Sequence, residues 1–299
     1  MRRWLSAAAR AASVAERPAT WVPGALAWVA VLGWLPLALA VVPPPTQSAL
    51  TYFGAGMRTS GAWPLNFVLL VAGTLGIAGV AAVLAAIGNT VLLGRIERRA
   101  VEPADAGRVL GAAVVFGLPV VVGAGVVLVA VAAVAPSEFN RGGSSLDPVV
   151  RTVMRITPLL AFTLVVMFAG TVLGGMAGRL AVRGRSLAAG LVRAPRQARA
   201  SGAAGAIHAI VSVVLAIGYL AVAALLVRVL WAPIAVRLTA GETGDPGTMV
   251  LLVGFVAIWL CLVLGGGALH AWATATWSHL DDMETASMDS RAPEAAWKS

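Results

Sequence analysis

The stretch LNFVLLVAGTLGIAGVAAVLAAIGNTVLL, residues 65–93, decides the fold. It has no charged side chain across 29 residues. As a helix rising about 1.5 Å per residue it reaches about 43 Å, whereas a bilayer core of about 30 Å is crossed by about 20 apolar residues. Backbone N–H and C=O groups in hydrocarbon must be satisfied within their own segment, so such a run is a helix. A barrel strand would alternate polar and apolar positions, and this run does not.

Five further runs share the property: residues 21–42, 109–135, 159–178, 206–230 and 249–273. None contains Asp, Glu or Lys, and the single Arg among them is Arg228, near the end of its run. The expected fold is all-α, a polytopic integral membrane bundle of six transmembrane helices with short interfacial helices. Residues 1–280 form its membrane domain, and 281–299 a flexible acidic tail on the cytoplasmic side. Composition agrees: of 299 residues 59% are hydrophobic and 12% charged, with mean hydropathy +0.88. Soluble domains carry about 25% charged residues. Soluble enzymes, secreted modules and nucleic-acid binders are thereby excluded. The net charge of +9 comes from Arg residues flanking the apolar runs, where membrane topology explains them without nucleic acid.

Orientation follows from where those cations fall. Sixteen Lys and Arg lie in the N-terminus, the second and fourth connections and the tail, against six in the first, third and fifth connections. Cytoplasmic loops carry the excess, so both termini are expected in the cytoplasm of a bacterium, with the chain in its inner membrane. Ala38-Leu39-Ala40 offers a small-x-small cleavage site after the first run. About twenty residues precede that run, however, which is long for a signal-peptide n-region, and it is read as a span. Cys261 is the only cysteine, which excludes an intramolecular disulfide.

The connections add detail. Asp147-Pro148 reads as an N-cap followed by Pro at the first helical position, opening an interfacial helix that leads through Pro158 into the fourth span. Pro36 and Pro119 fall inside spans and are expected to kink them. Residues 5–10 before Pro18 and 187–193 before Pro195 are both short Arg-flanked apolar helices, with a weaker echo at Glu102-Pro103. Three hairpins, each led in by an interfacial helix, would produce this pattern; so would biased composition.

The strongest packing signal is Gly170-Thr171-Val172-Leu173-Gly174-Gly175-Met176-Ala177-Gly178. Gly170, Gly174 and Gly178 share one helix face and let another backbone approach closely. Gly174 is expected at the centre of that contact, with Ala78, Ala82 and Ala86 a plausible partner face. Gly265-Gly266-Gly267 reads as a packing notch, as do Gly73, Gly76 and Gly79. Asn89 is expected to bond a neighbouring helix. Arg193, Arg196 and Arg199 form a basic patch for anionic lipid or a docking partner.

Chemistry is sparse. All thirteen acids lie outside the six runs, which disfavours an ion-coupled carrier. GxSxG, HExxH, P-loop and GxGxxG motifs are absent. His208 reads as an interfacial residue and His270 as part of an aromatic belt. The His279–Glu284 cluster of ligand types is read as a solvated tail, with no metal and no cofactor. The expected function is a non-catalytic accessory or scaffold subunit, its partners being lipids and other membrane subunits. The alternative is a permease subunit working with a separate ATPase. The layout of a leading interfacial helix, six spans and both termini inside looks like that of some export permeases, a resemblance of topology alone. It implies that the Arg-rich fourth connection is a coupling surface.

Overall fold

The computed structural model describes residues 1–42, 56, 59–141, 147–184 and 186–289, with side chains as far as 283. Among them there is no strand. In chain order the helices are α1 (Arg2–Ala15), α2 (Pro18–Trp28), α3 (Leu35–Val41), α4 (Leu65–Glu97), α5 (Pro103–Phe139), α6 (Pro148–Arg183), α7 (Leu187–Thr239) and α8 (Pro246–Asp289). Five are long and apolar enough to cross a membrane. The bent pair Pro18–Gly33 and Leu35–Val41, inclined at 47°, makes a sixth where its two halves are counted as one span. The chain is a multi-pass, all-α membrane protein.

The long helices start where local chemistry requires it. Glu102 precedes Pro103 and forms a reciprocal capping box with Asp105. The Asp147 carboxylate accepts from the Val149 N–H at 2.7 Å, as its position before Pro148 predicts. Asp245 precedes Pro246 and accepts from the Thr248 N–H at 3.1 Å. In each case an acid satisfies a free amide of the first turn, and Pro sits where no N–H is needed.

Breaks fall in fewer places than the prolines suggest. α5 passes through Pro119 and Pro136, and α6 through Pro158, without interruption. The first span does break: a π-helical turn at Val29–Gly33 separates α2 from α3, with Pro36 in the first turn of α3. α7 bends at Gly202, not at Pro195, because Gly202 has φ +50° and ψ −135°, a conformation that a Cβ forbids. The echo at Glu102-Pro103 is no separate helix; it is the start of α5. α8 continues through Asp289, with Leu280 and Asp281 buried where a solvated tail was expected to begin. Residues 290–299 lie outside the described residues, as do Ser144, Arg185, Arg291 and Lys298.

The chain divides into two units, residues 1–101 with 201–299, and residues 102–200. In the first, α1 and α2 pack on α8, and α2 also packs on α4. One core cluster joins Val227 and Ile234 of α7 to Phe255 of α8; another joins Ala11 and Val14 of α1 to Ala275 of α8. In the second unit α5 and α6 form an extensive hairpin.

Candidate functional site

Within the first unit, glycine governs how closely the helices approach. A Cβ on Gly267 would lie 2.5 Å from the Trp21 carbonyl oxygen and 2.7 Å from Ala25 Cα, both backbone atoms of α2. One on Gly266 would meet the Trp28 ring at 2.5 Å, and one on Gly265 the Tyr219 hydroxyl at 2.5 Å. The triple glycine is a notch that receives the first span just before its break. Trp28 fills it, held edge-on to Tyr219 with centroids 5.6 Å apart. The Tyr219 hydroxyl donates to the Leu262 carbonyl at 2.5 Å. Gly88 of α4 closes on the other side of α2, where a Cβ would lie 2.8 Å from the Pro23 carbonyl oxygen. The crevice beside the break, between Trp28, Pro36, Val227 and Trp259, has no room for a water molecule.

Further along α8 lies a polar and aromatic cluster. His208 is 0% exposed. Its Nδ1 accepts from the Trp4 indole N–H at 3.4 Å, and its Nε2 lies 3.0 Å from the Ala273 carbonyl and 3.3 Å from the Ser212 hydroxyl. An indole N–H can only donate, and a carbonyl can only accept, so these partners place the ring proton on Nε2. Trp272 and Trp277 meet the imidazole edge-on at 5.6 and 4.9 Å. The Trp272 indole N–H donates to the Ala8 carbonyl at 3.2 Å, tying α1 to the same place. His208 is therefore a buried junction of α1, α7 and α8. His270 also joins helices: its Nε2 is 2.8 Å from the Asn89 side-chain oxygen, which links α8 to α4. Asn89 thus bonds a neighbouring helix, as expected. His208 spends both ring nitrogens joining helices, and His270 spends its Nε2 in the same way.

In the second unit the glycine face of α6 meets α5. A Cβ on Gly170 would lie 2.6 Å from the Phe116 carbonyl oxygen. At Gly174 and Gly178 the nearest atoms are Phe116 Cβ and Val109 Cγ1, each at 3.5 Å, an ordinary contact. Gly175 points to open space. The closest approach is thus one turn before Gly174. Ala78, Ala82 and Ala86 are not the partner face: α5 occupies it, and Ala78 is exposed. Gly190 seats the first part of α7 on α6: a Cβ there would lie 2.5 Å from the Ala177 carbonyl oxygen and 2.8 Å from the Ala181 amide nitrogen. Arg193, Arg196 and Arg199 of that segment are exposed.

Sequence reasoning missed the burial of His208 and of three acids, Asp105, Glu138 and Asp281. Asp105 pairs with Arg108, and Glu138 draws in three arginines. The available signal was the i, i+3 spacing of Asp105 with Arg108 and of Glu138 with Arg141. Among the described residues no group of three or more His, Cys, Asp or Glu is placed to hold a metal. No family model, curated protein or solved structure matches the chain.

Proposed function

We propose that this chain is a non-catalytic accessory or scaffold subunit of a bacterial inner-membrane assembly, with both termini cytoplasmic. The observation that carries the reading is α4. Its second half is packed through Ala85, Ala86, Gly88, Leu92 and Leu93, yet residues 67–80 are exposed on every face. Gly73, Gly76 and Gly79 have nothing within 4 Å of where a Cβ would stand. Lipid offers no hydrophobic drive for helix association, so small residues that admit a second backbone favour a partner helix. The engaged nitrogens of His208 and the missing enzyme motifs support a role without catalysis.

A photo-crosslinking residue replacing Ile77, which is 75% exposed, is expected to capture a membrane protein that also copurifies in mild detergent. Gly76→Leu should reduce that recovery several-fold. Adducts with lipid alone would sink the reading. The permease alternative is favoured by Arg193, Arg196 and Arg199, displayed on a helix whose Gly190 anchors it firmly to α6. Recovery of a nucleotide-binding subunit whose ATP hydrolysis depends on this chain would move the assignment to that alternative.

Sidedness has its own test. On a Cys261→Ser background, Ser186→Cys should resist a membrane-impermeant thiol reagent in intact cells, and Ser144→Cys should react. Labelling at position 186 without lysis would reverse the topology.

A further inference from the structure

Three residues beyond the third apolar run, Glu138 of α5 is only 2% exposed. Its Oε2 accepts from Arg151 Nε at 3.1 Å and its Oε1 from Arg155 Nη1 at 3.1 Å, while Arg141 Nη1 stands 3.9 Å from Oε1. Arg151 also donates to the Glu138 carbonyl at 2.5 Å and to the Arg141 carbonyl at 3.4 Å. Arg151 is therefore consumed in closing the end of the hairpin. The side chains of Arg141 and Arg155 are 66% and 57% exposed, and each has one nitrogen directed at the shared oxygen.

The charges do not balance. Three guanidinium groups surround one carboxylate, and the next acid along the chain, Asp147, commits an oxygen to capping α6. Each guanidinium has five N–H donors in a planar fork suited to a phosphate. A buried carboxylate with two outward-facing arginines on one of its oxygens is a prepared anion site.

Its surroundings select the anion. The site lies where the apolar runs of α5 and α6 end, at the level of lipid headgroups. Val149, Val150, Val153 and Met154 are exposed on the same end of α6 and hold it in the interface. Two turns further into the membrane, on the same face as Arg155, Phe162 is 64% exposed. A phosphate at the arginines would have its acyl chains against that wall. We infer that Arg141 and Arg155 bind the phosphate of an anionic phospholipid, with Glu138 as the positioning residue.

The test uses the full-length protein, delipidated in a neutral detergent. Binding is followed by native mass spectrometry and by thermal shift. The probes are phosphatidylglycerol, diacylglycerol with the same chains, and inorganic phosphate. Phosphatidylglycerol is expected to bind saturably and to raise the melting temperature, with neither diacylglycerol nor inorganic phosphate matching it. In R141Q/R155Q its affinity should fall about thirtyfold, a basic residue near an anionic surface being worth about fivefold. The variant R95Q/R98Q, which removes the same charge from two exposed arginines at the end of α4, should bind within about twofold of the parent. Undiminished binding by R141Q/R155Q overturns the site. An equal shift with inorganic phosphate, or equal binding of diacylglycerol, overturns the phospholipid.

Discussion

Gly267→Ala should lower the thermal stability of the detergent-solubilised protein, while Gly254→Ala on the same helix leaves it unchanged or raises it. The methyl group added at 267 would meet backbone atoms of α2 at 2.5 and 2.7 Å. Carbon atoms rest about 3.5–4.0 Å apart at contact, and no rotamer change moves a backbone atom aside. The helices must separate, which opens the Trp28 seat on Gly266 and withdraws the Tyr219 edge contact. Overpacking of this kind costs roughly 1–3 kcal/mol, occasionally more. At Gly254 a Cβ meets nothing within 4 Å. There the substitution only removes the helix penalty of glycine, roughly 0.5–1 kcal/mol in a helix interior. Melting curves of the two variants should therefore move apart. A shared shift, in either direction, would mean that α2 is not seated on the triple glycine.

Leucine at positions 170, 174 and 175 should rank the second unit's tolerance in the same way. At Gly170 the side chain would enter the Phe116 carbonyl, whose oxygen is 2.6 Å from the Cβ position, and Val120 beside it at 3.3 Å. Gly170→Leu should be the most damaging, on the order of 1–3 kcal/mol. Gly174→Leu begins from ordinary contacts and should lie between. Gly175→Leu adds the same volume on an open face and should match the parent. Thermal melting and recovery of monodisperse protein measure all three. If Gly175→Leu proves as harmful as Gly170→Leu, the face assignment of α6 is wrong.

Hydropathy and charge made the spans legible, because a charge-free run of more than twenty residues has one stable conformation in lipid. The cap at Asp147 was legible for an equally local reason. Facing was not. Gly266 receives an indole and Gly76 receives nothing, yet both sit in similar apolar surroundings in a chain with 33 glycines. The expectation that Ala78, Ala82 and Ala86 meet the α6 glycines failed on the same point: small residues say that something can approach, not what does. His208 illustrates the long-range part. Its partners Trp4 and Ala273 are 204 and 65 residues away, and no spacing rule connects them. The α7 bend was hidden because Pro195 is the conspicuous breaker, whereas Gly202 is one glycine among many.

The tie between the two ends of the chain has a consequence for biosynthesis. Trp272 closes on Ala8 across 264 residues. At translation rates of about 5–20 residues per second, that separation takes roughly 13–53 s to make. Throughout that interval the nascent α1 has an apolar face of Ala7, Ala11 and Val14 with no α8 to cover it. Arg2, Arg3, Arg10 and Arg17 beside that face would hold it against an anionic leaflet until α8 emerges. The α5–α6 hairpin, whose contacts are local, is complete long before. Assembly of the first unit is thus gated by the synthesis of α8, and a ribosome that stalls ahead of residue 272 leaves α1 parked on lipid.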